Sequence, residues 1–379
     1  MNIKDNIVFT ETLYSSSVTL VRRGVYQKSI PVVVKNTAQD VPEGNLIEQY
    51  KTSYLAQQKV DHPAVNGVIE YVLDGAGCSL LLEDIGGKSL DSWIIATLKE
   101  YSCWPLEIPD LFHLYLLRLL RWSITLAEGI AAFHLQDVIH NDLNPANITV
   151  NTETDQLQII DFGGAFPDGS NINDWTIVDQ HRALTYISPE QTGRLNRNID
   201  YRSDYYAFGA TLYQLFSGKR PFVAKDLPEL IHCHIARHPK KVDSINPLLP
   251  ASLSVLIMKL MSKAPEDRYQ NGRCLIQDLK AIELSIKTGI PLSPSALGKN
   301  DVPEKLLIPT KLYGREQEFS ELKKSLCDPV NKPALIVVEG DSGSGKTSLV
   351  NESILHFVDH SIQVLSGKSE VYNKRPHVA

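Results

Sequence analysis

The sequence lacks any run of about 18 apolar residues, the length a membrane-crossing helix requires. It also opens without the basic start and apolar centre of a secretory signal, so a cytoplasmic protein with no membrane span is expected. Cysteine is scarce: five in 379 residues, widely scattered and with no C-x-x-C pair. That spacing argues against a disulfide framework and against a thiolate zinc site. Internal repeats and low-complexity tracts are missing, which removes solenoids and propellers. Excess positive charge is missing too. Lys and Arg number 38 against 44 Asp and Glu, a net charge of -6, whereas a nucleic-acid footprint needs the opposite balance. Nucleotides and proteins are the partners this leaves.

What is present suffices for ordinary cores. Hydrophobic residues make up 43% and charged residues 22%, and the length has room for two or three domains. Texture divides the chain into residues 1–285, a stretch at 286–311, and residues 312–379. In the middle stretch, Pro291, Pro294, Pro303 and Pro309 suit an extended linker lying on a surface. In the first region the β-branched runs VTLVRR (18–23), IPVVVK (30–35) and SLLLED (79–84) predict strands. Later, Leu116, Leu120, Ile124, Ala127 and Ala131 fall on one helical stripe, which Leu119, Leu126, Ile130 and Phe133 widen. A helix buried along much of its girth follows. A strand-rich part before a helix-rich part predicts an α+β fold of two lobes, with the cleft between them as the ligand site.

The chemistry concentrates at His140. The string HNDLNPANITV holds Asp142 and Asn147 five residues apart, and Asp161 opens a DFG triplet after a short strand. Lys35 ends the VVVK run upstream. Downstream come SPE (188–190), DYRSDYYAFG (200–209) and KAPEDRY (263–269). Each residue alone reads as an ordinary turn or strand-end residue. Together, in this order, they resemble the eukaryotic-type serine/threonine protein kinase family over residues 1–285. The resemblance implies a bilobal kinase fold and transfer of the ATP γ-phosphate to a protein Ser or Thr hydroxyl. It makes Asp142 the catalytic base, Asn147 and Asp161 the Mg²⁺ ligands, and Lys35 the contact to the α and β phosphates. The carbonyl of Glu83 and the amide of Ile85 would hold adenine. Glu190 with Arg268, and Asp204, would brace the machinery.

Departures from the family pattern matter as much. LYSSSVTLVRRG (13–24), where a glycine-rich phosphate cover belongs, has no glycine before Gly24, leaving Ser15, Ser16 and Ser17 to offer hydroxyls and amides. The position expected to present a glutamate to Lys35 is Ser53, with Glu48 the nearest upstream acid. Asn141 and Asn144 replace an arginine and a lysine, and Ala183 replaces a threonine. Two readings stay open: a slow enzyme, or a nucleotide-binding pseudokinase serving as scaffold or switch. SLLLEDIGGKSL (79–90), VIHNDLNPANI (138–148) and YISPEQTGRLNRNIDYRSDYYAFG (186–209) resemble the subfamily found at the N-terminus of large signalling proteins. Those proteins continue into a STAND-type AAA ATPase and a sensor histidine kinase, which implies downstream signalling domains and phosphorelay.

The last region begins with a GRE turn and an amphipathic pattern over 311–326. An apolar run at 334–338 then leads into G-x-x-x-x-G-K-T, with Gly340, Gly345, Lys346 and Thr347 in the positions of a Walker A loop. A strand, a phosphate loop and a helix are expected, Lys346 serving the β and γ phosphates of ATP and Thr347 its Mg²⁺. Too few residues follow for a whole α/β P-loop NTPase, so an incomplete unit, part of a longer protein, is expected. HCHIARH (232–238) has spacings that could bind zinc, though helix-surface histidines are the commoner case. Arg194, Arg197 and Arg202 could grip a phosphate or brace loops.

Overall fold

The computed structural model describes residues 6–38, 44–74, 77–168, 183–194, 197–303, 314–327, 335–341, 344–346, 349–350, 353, 367–368 and 377–378. The chain starts with three antiparallel strands, β1 (Ile7–Ser15), β2 (Thr19–Tyr26) and β3 (Ile30–Thr37). Helix α1 (Gly44–Gln58) and strands β4 (Val68–Asp74) and β5 (Gly77–Glu83) follow, giving one sheet in the order β1-β2-β3-β5-β4. Alternation along β3 decides what each face does. Val32 and Val34 pack into a core with Ile7 and Leu81. Val33 lies against Tyr50 of α1, with Leu80 and Leu82, on the other face, which is also the face of Lys35 by parity.

Beyond the sheet come β6 (Lys88–Ser89), α2 (Leu90–Tyr101) and α3 (Pro109–Leu135). The long helix starts with proline at its first position, where the missing N–H costs nothing, and its predicted stripe is buried from Leu116 to Ala127, with Ala131 half-buried. Short strands β7 (Val138–Ile139), β8 (Ile148–Asn151) and β9 (Gln156–Ile159) frame the loop with Asp142. Helix α4 (Arg202–Ser217) is buried at every residue; it packs on α3, α6 (Val242–Ile245) and α7 (Ala251–Leu260), its Tyr206 meets His234 of α5 (Leu227–Ile235), and α8 (Gly272–Thr288) packs chiefly on α3. A side chain on Gly209 would put its Cβ 2.7 Å from that of Leu260, so glycine sets how closely α4 and α7 approach. Arg268 and Glu190 form a two-pronged ion pair at 2.6 and 2.8 Å between this core and the SPE segment. Although burial opposes ionisation, Arg268 holds the Glu190 carboxyl down at about 2.

Several expectations change. Strands β1 and β4 have no clear signature, because they are the sheet edges; of β1 only Ile7 is buried. Helix α8 runs to Thr288, beyond residue 285. The proline-rich stretch after it is more than a surface-lying linker. Pro294–Ala296 form a 3-10 turn, and Asp301 accepts hydrogen bonds from the amides of Gln270 (2.8 Å) and Asn271 (3.0 Å) and from Lys259 Nζ (2.6 Å). From residue 304 to 313 it lies outside the described residues. Helix α9 spans Glu316–Cys327, where the amphipathic pattern predicts it. The apolar run before the phosphate loop, described from Leu335, forms no strand. Among the described residues no strand pairs with it, and chain without a ladder is not a strand. Among the described residues no helix is long and apolar enough to cross a membrane.

Candidate active site

The loop between β7 and β8 is fixed from beneath. Asp204, near the start of α4, accepts hydrogen bonds from the backbone amides of His140 (2.9 Å) and Asn141 (2.8 Å) and contacts His134 Nε2 at 2.8 Å. Asn141 takes a left-handed backbone (φ 67°), which asparagine tolerates better than most residues. Its carbonyl and side-chain oxygens both accept from Gln191 Nε2, at 2.6 and 2.8 Å. Gln191 in turn accepts from the amide of Ser188 at 2.8 Å. A neutral, buried amide pair thus joins the Asp142 loop to the SPE segment.

Asp142 is clamped by two amides. Asn144 Nδ2 donates to its Oδ1 at 2.9 Å, and Asn147 Nδ2 donates to its Oδ2 at 2.8 Å. Burial, with the Asp161 charge adding to it, pushes the Asp142 carboxyl up to about 6, against the pull of His140 and the two amides. Asp161 sits at φ 64° ahead of a 3-10 turn that buries Phe162 against Phe133 and His140. Its Oδ1 accepts from Lys35 Nζ at 2.8 Å and from the Gly163 amide at 3.3 Å. Burial opposes both charges, yet each stabilises the other, and the pair ends with Lys35 raised and Asp161 lowered. The side chains keep 20% and 38% exposure, as a site that must admit a ligand requires.

Lys35, Asp142, Asn147 and Asp161 therefore come together across 126 residues of chain. At the rim, the Glu83 carbonyl accepts from Asn66 Nδ2 (2.9 Å) and the Ile85 carbonyl from Asn151 Nδ2 (2.6 Å). Arg23 ties β2 to the same stretch through Asp84 and the Gly87 carbonyl. The donor set suits a hard cation. Asn147 commits its amide nitrogen to Asp142 and Asp161 commits Oδ1 to Lys35, which leaves one oxygen of each for a metal.

One expectation needs correction here, that of the serines, whereas the missing glutamate opposite Lys35 is as the sequence reads it. Ser16 offers little to a phosphate, because its amide donates to the Thr19 carbonyl (2.9 Å) and its hydroxyl accepts from the Thr19 amide (3.0 Å) inside the β1–β2 turn. Glu48 does not approach Lys35; it is exposed and lies 3.7 Å from Lys51. Ser53 is buried and donates to Gln57. Sequence reasoning overlooked Tyr50, Asn66 and Gln191. Only Gln191, directly after SPE, had a motif beside it.

The other flagged groups play supporting parts. His234 is no surface histidine: it is fully buried beside Tyr206 and Phe222, and burial, with Lys263 nearby, pushes its imidazole down to about 3. Arg197 pairs with Glu266, and Arg202 with Asp200 and Gln270, so both brace loops. In the last region, Lys346 Nζ donates to the carbonyls of Gly340 and Asp341, at 2.7 Å each, and Arg315 donates to the Ser344 carbonyl at 2.9 Å. Gly345 takes φ 83°, and its carbonyl accepts from the Leu349 amide as a helical turn begins. Thr347 lies outside the described residues.

A protein kinase domain family model matches residues 15–279. The chain belongs to the protein kinase family. An AAA ATPase domain model matches residues 311–379. The chain is 32% identical over 251 residues, 60% of its length, to hybrid signal transduction histidine kinase G of Dictyostelium discoideum, of which it covers 7%. It is 25% identical over 278 residues, 72% of its length, to a probable serine/threonine-protein kinase of Clostridium acetobutylicum, covering 38% of that protein. It is 29% identical over 257 residues, 66% of its length, to the serine/threonine-protein kinase pkn2 of Myxococcus xanthus, covering 29%. The chain thus spans well under half the length of these relatives.

Proposed function

We propose that residues 1–285 form a serine/threonine protein kinase domain that transfers the γ-phosphate of ATP to a protein hydroxyl. The observation that carries this is the hydrogen-bonded set Lys35–Asp161 and Asp142–Asn147, drawn from three separate stretches onto one cleft. Adenine would sit against the Glu83 carbonyl and the Ile85 amide. Lys35 would neutralise the α and β phosphates, and Asn147 with Asp161 would hold Mg²⁺. The metal supplies charge neutralisation to the phosphates. Asp142 accepts the proton of the Ser or Thr hydroxyl as its oxygen bonds to the γ-phosphorus, and the bond from that phosphorus to the bridging oxygen breaks to release ADP. Asn144 holds the carboxylate still but adds no positive charge, so transfer should be slower than with a cation there.

The second region, 312–379, fits the start of a P-loop ATPase unit, with Gly340, Gly345 and Lys346 facing nucleotide phosphates and Thr347 on Mg²⁺. The similarity to a hybrid histidine kinase supports a place ahead of further signalling domains. The test is labelling of a protein substrate from radioactive ATP. Asp142→Asn keeps the shape and removes the base, and should cost between about 10² and 10⁴ in rate. Equal labelling by wild type and variant would sink the assignment.

A further inference from the structure

Lys35 has no acidic partner on α1, and its surroundings point to a different one. Its ammonium meets Asp161 Oδ1 at 2.8 Å and stands 5.3 Å from the centre of the Tyr50 ring. Tyr50 lies three residues before Ser53, on the same face of α1, and is 2% exposed. Its hydroxyl is 3.5 Å from Thr19 Oγ1, at the start of β2. One side chain therefore touches the strand lysine and the strand that leads from the β1–β2 turn. The face of an aromatic ring attracts an ammonium within about 6 Å, more so when the pair is shielded from water. Unlike a carboxylate, the ring adds no second negative charge beside Asp161, so it orients the ammonium without competing with incoming phosphates.

We infer that Tyr50 is the positioning residue through which α1 holds Lys35 on the phosphates of bound nucleotide. This rests on the ATP reading of the cleft. The ring also fills a core with Cys78, Leu80 and Leu82, so the test must separate packing from its action on the amine.

The measurement is the affinity for a fluorescent methylanthraniloyl-ATP with Mg²⁺ of the full chain carrying Lys346→Ala, which silences the second phosphate loop and serves as the wild-type reference, each variant first checked for folding by circular dichroism. Tyr50→Leu should weaken binding about tenfold, within the range a shielded cation–π contact supports. Tyr50→Phe, which keeps the ring and loses the reach to Thr19, should cost about threefold or less. In a Lys35→Met background, Tyr50→Leu should add less than twofold, because the ring acts through the ammonium. A Tyr50→Leu affinity within twofold of wild type, or its full tenfold loss persisting without Lys35, would overturn the inference. Binding and transfer are separate readouts. Unchanged labelling by Asp142→Asn strikes only the kinase reading, whereas a wild type that fails to bind the nucleotide overturns both.

Discussion

On the helical side of the cleft, the groups assigned to the reaction are backed by buried or half-buried partners: Asp204 holds the loop amides, Gln191 holds Asn141, and Asn144 and Asn147 hold Asp142. On the strand side the support is thinner. Lys35 has Asp161 and the face of Tyr50, and the β1–β2 turn spends its Ser16 hydroxyl and amide on itself. The difference shows which departures a phosphate site tolerates. A charged residue can be exchanged for an amide or a ring where a neighbour still fixes the geometry. It is the backing that has to remain.

The sharpest way to break this contrast is to remove the backing. Arg268→Ala leaves Glu190 buried, charged and without its bidentate partner at 2.6 and 2.8 Å. Losing one member of such a pair costs about 3–5 kcal/mol, which denaturant unfolding should register as a lower midpoint at unchanged slope. Replacing both, Glu190→Leu with Arg268→Met, should cost much less, since no lone charge stays buried. If the single variant unfolds like wild type, the helical side does not owe its rigidity to this pair.

The same contrast explains what was legible in the sequence. Asp142, Asn147 and Asp161 are readable because a tight loop and a DFG turn fix their spacing along the chain. Gln191 reaches Asn141 across 50 residues, and Tyr50 meets Lys35 only because α1 lies over the sheet. No spacing rule records such contacts. The sheet was half legible: β2, β3 and β5 carry β-branched or leucine runs with both neighbours paired, whereas β1 and β4 are edges whose exposed positions tolerate polar residues. Asp301 was hidden for a related reason. Its role depends on where the chain comes back to Gln270, not on the prolines around it.

A second expected effect is read from pH. Burial raises the Asp142 carboxyl to about 6. A base works only when deprotonated, so transfer should be constant above about pH 7 and fall tenfold per unit once pH drops through about 6. Measuring kcat from pH 5 to 8 checks this. Asn144→Lys places an ammonium beside Asp142, which favours the charged carboxylate and should move the limb to lower pH. A limb that stays put would mean that the amide clamp, and not the missing cation, sets the acidity of the base.

The smallest effect belongs to the β1–β2 turn. In Ser16→Ala the amides of Val18 and Thr19 lose their acceptor at 3.3 and 3.0 Å. Both sit near solvent and can turn to water, so the local cost is about 1 kcal/mol or less. Because the hydroxyl already faces its own turn, the affinity for an ATP analogue should fall by no more than about threefold, through loosening of the turn alone. A tenfold loss would mean that the hydroxyl leaves the turn to touch a phosphate once nucleotide is bound. The strand side would then be a cover that rearranges around its ligand, and its thin support in the free protein would be a condition of binding, not a weakness tolerated because the helical side is firm.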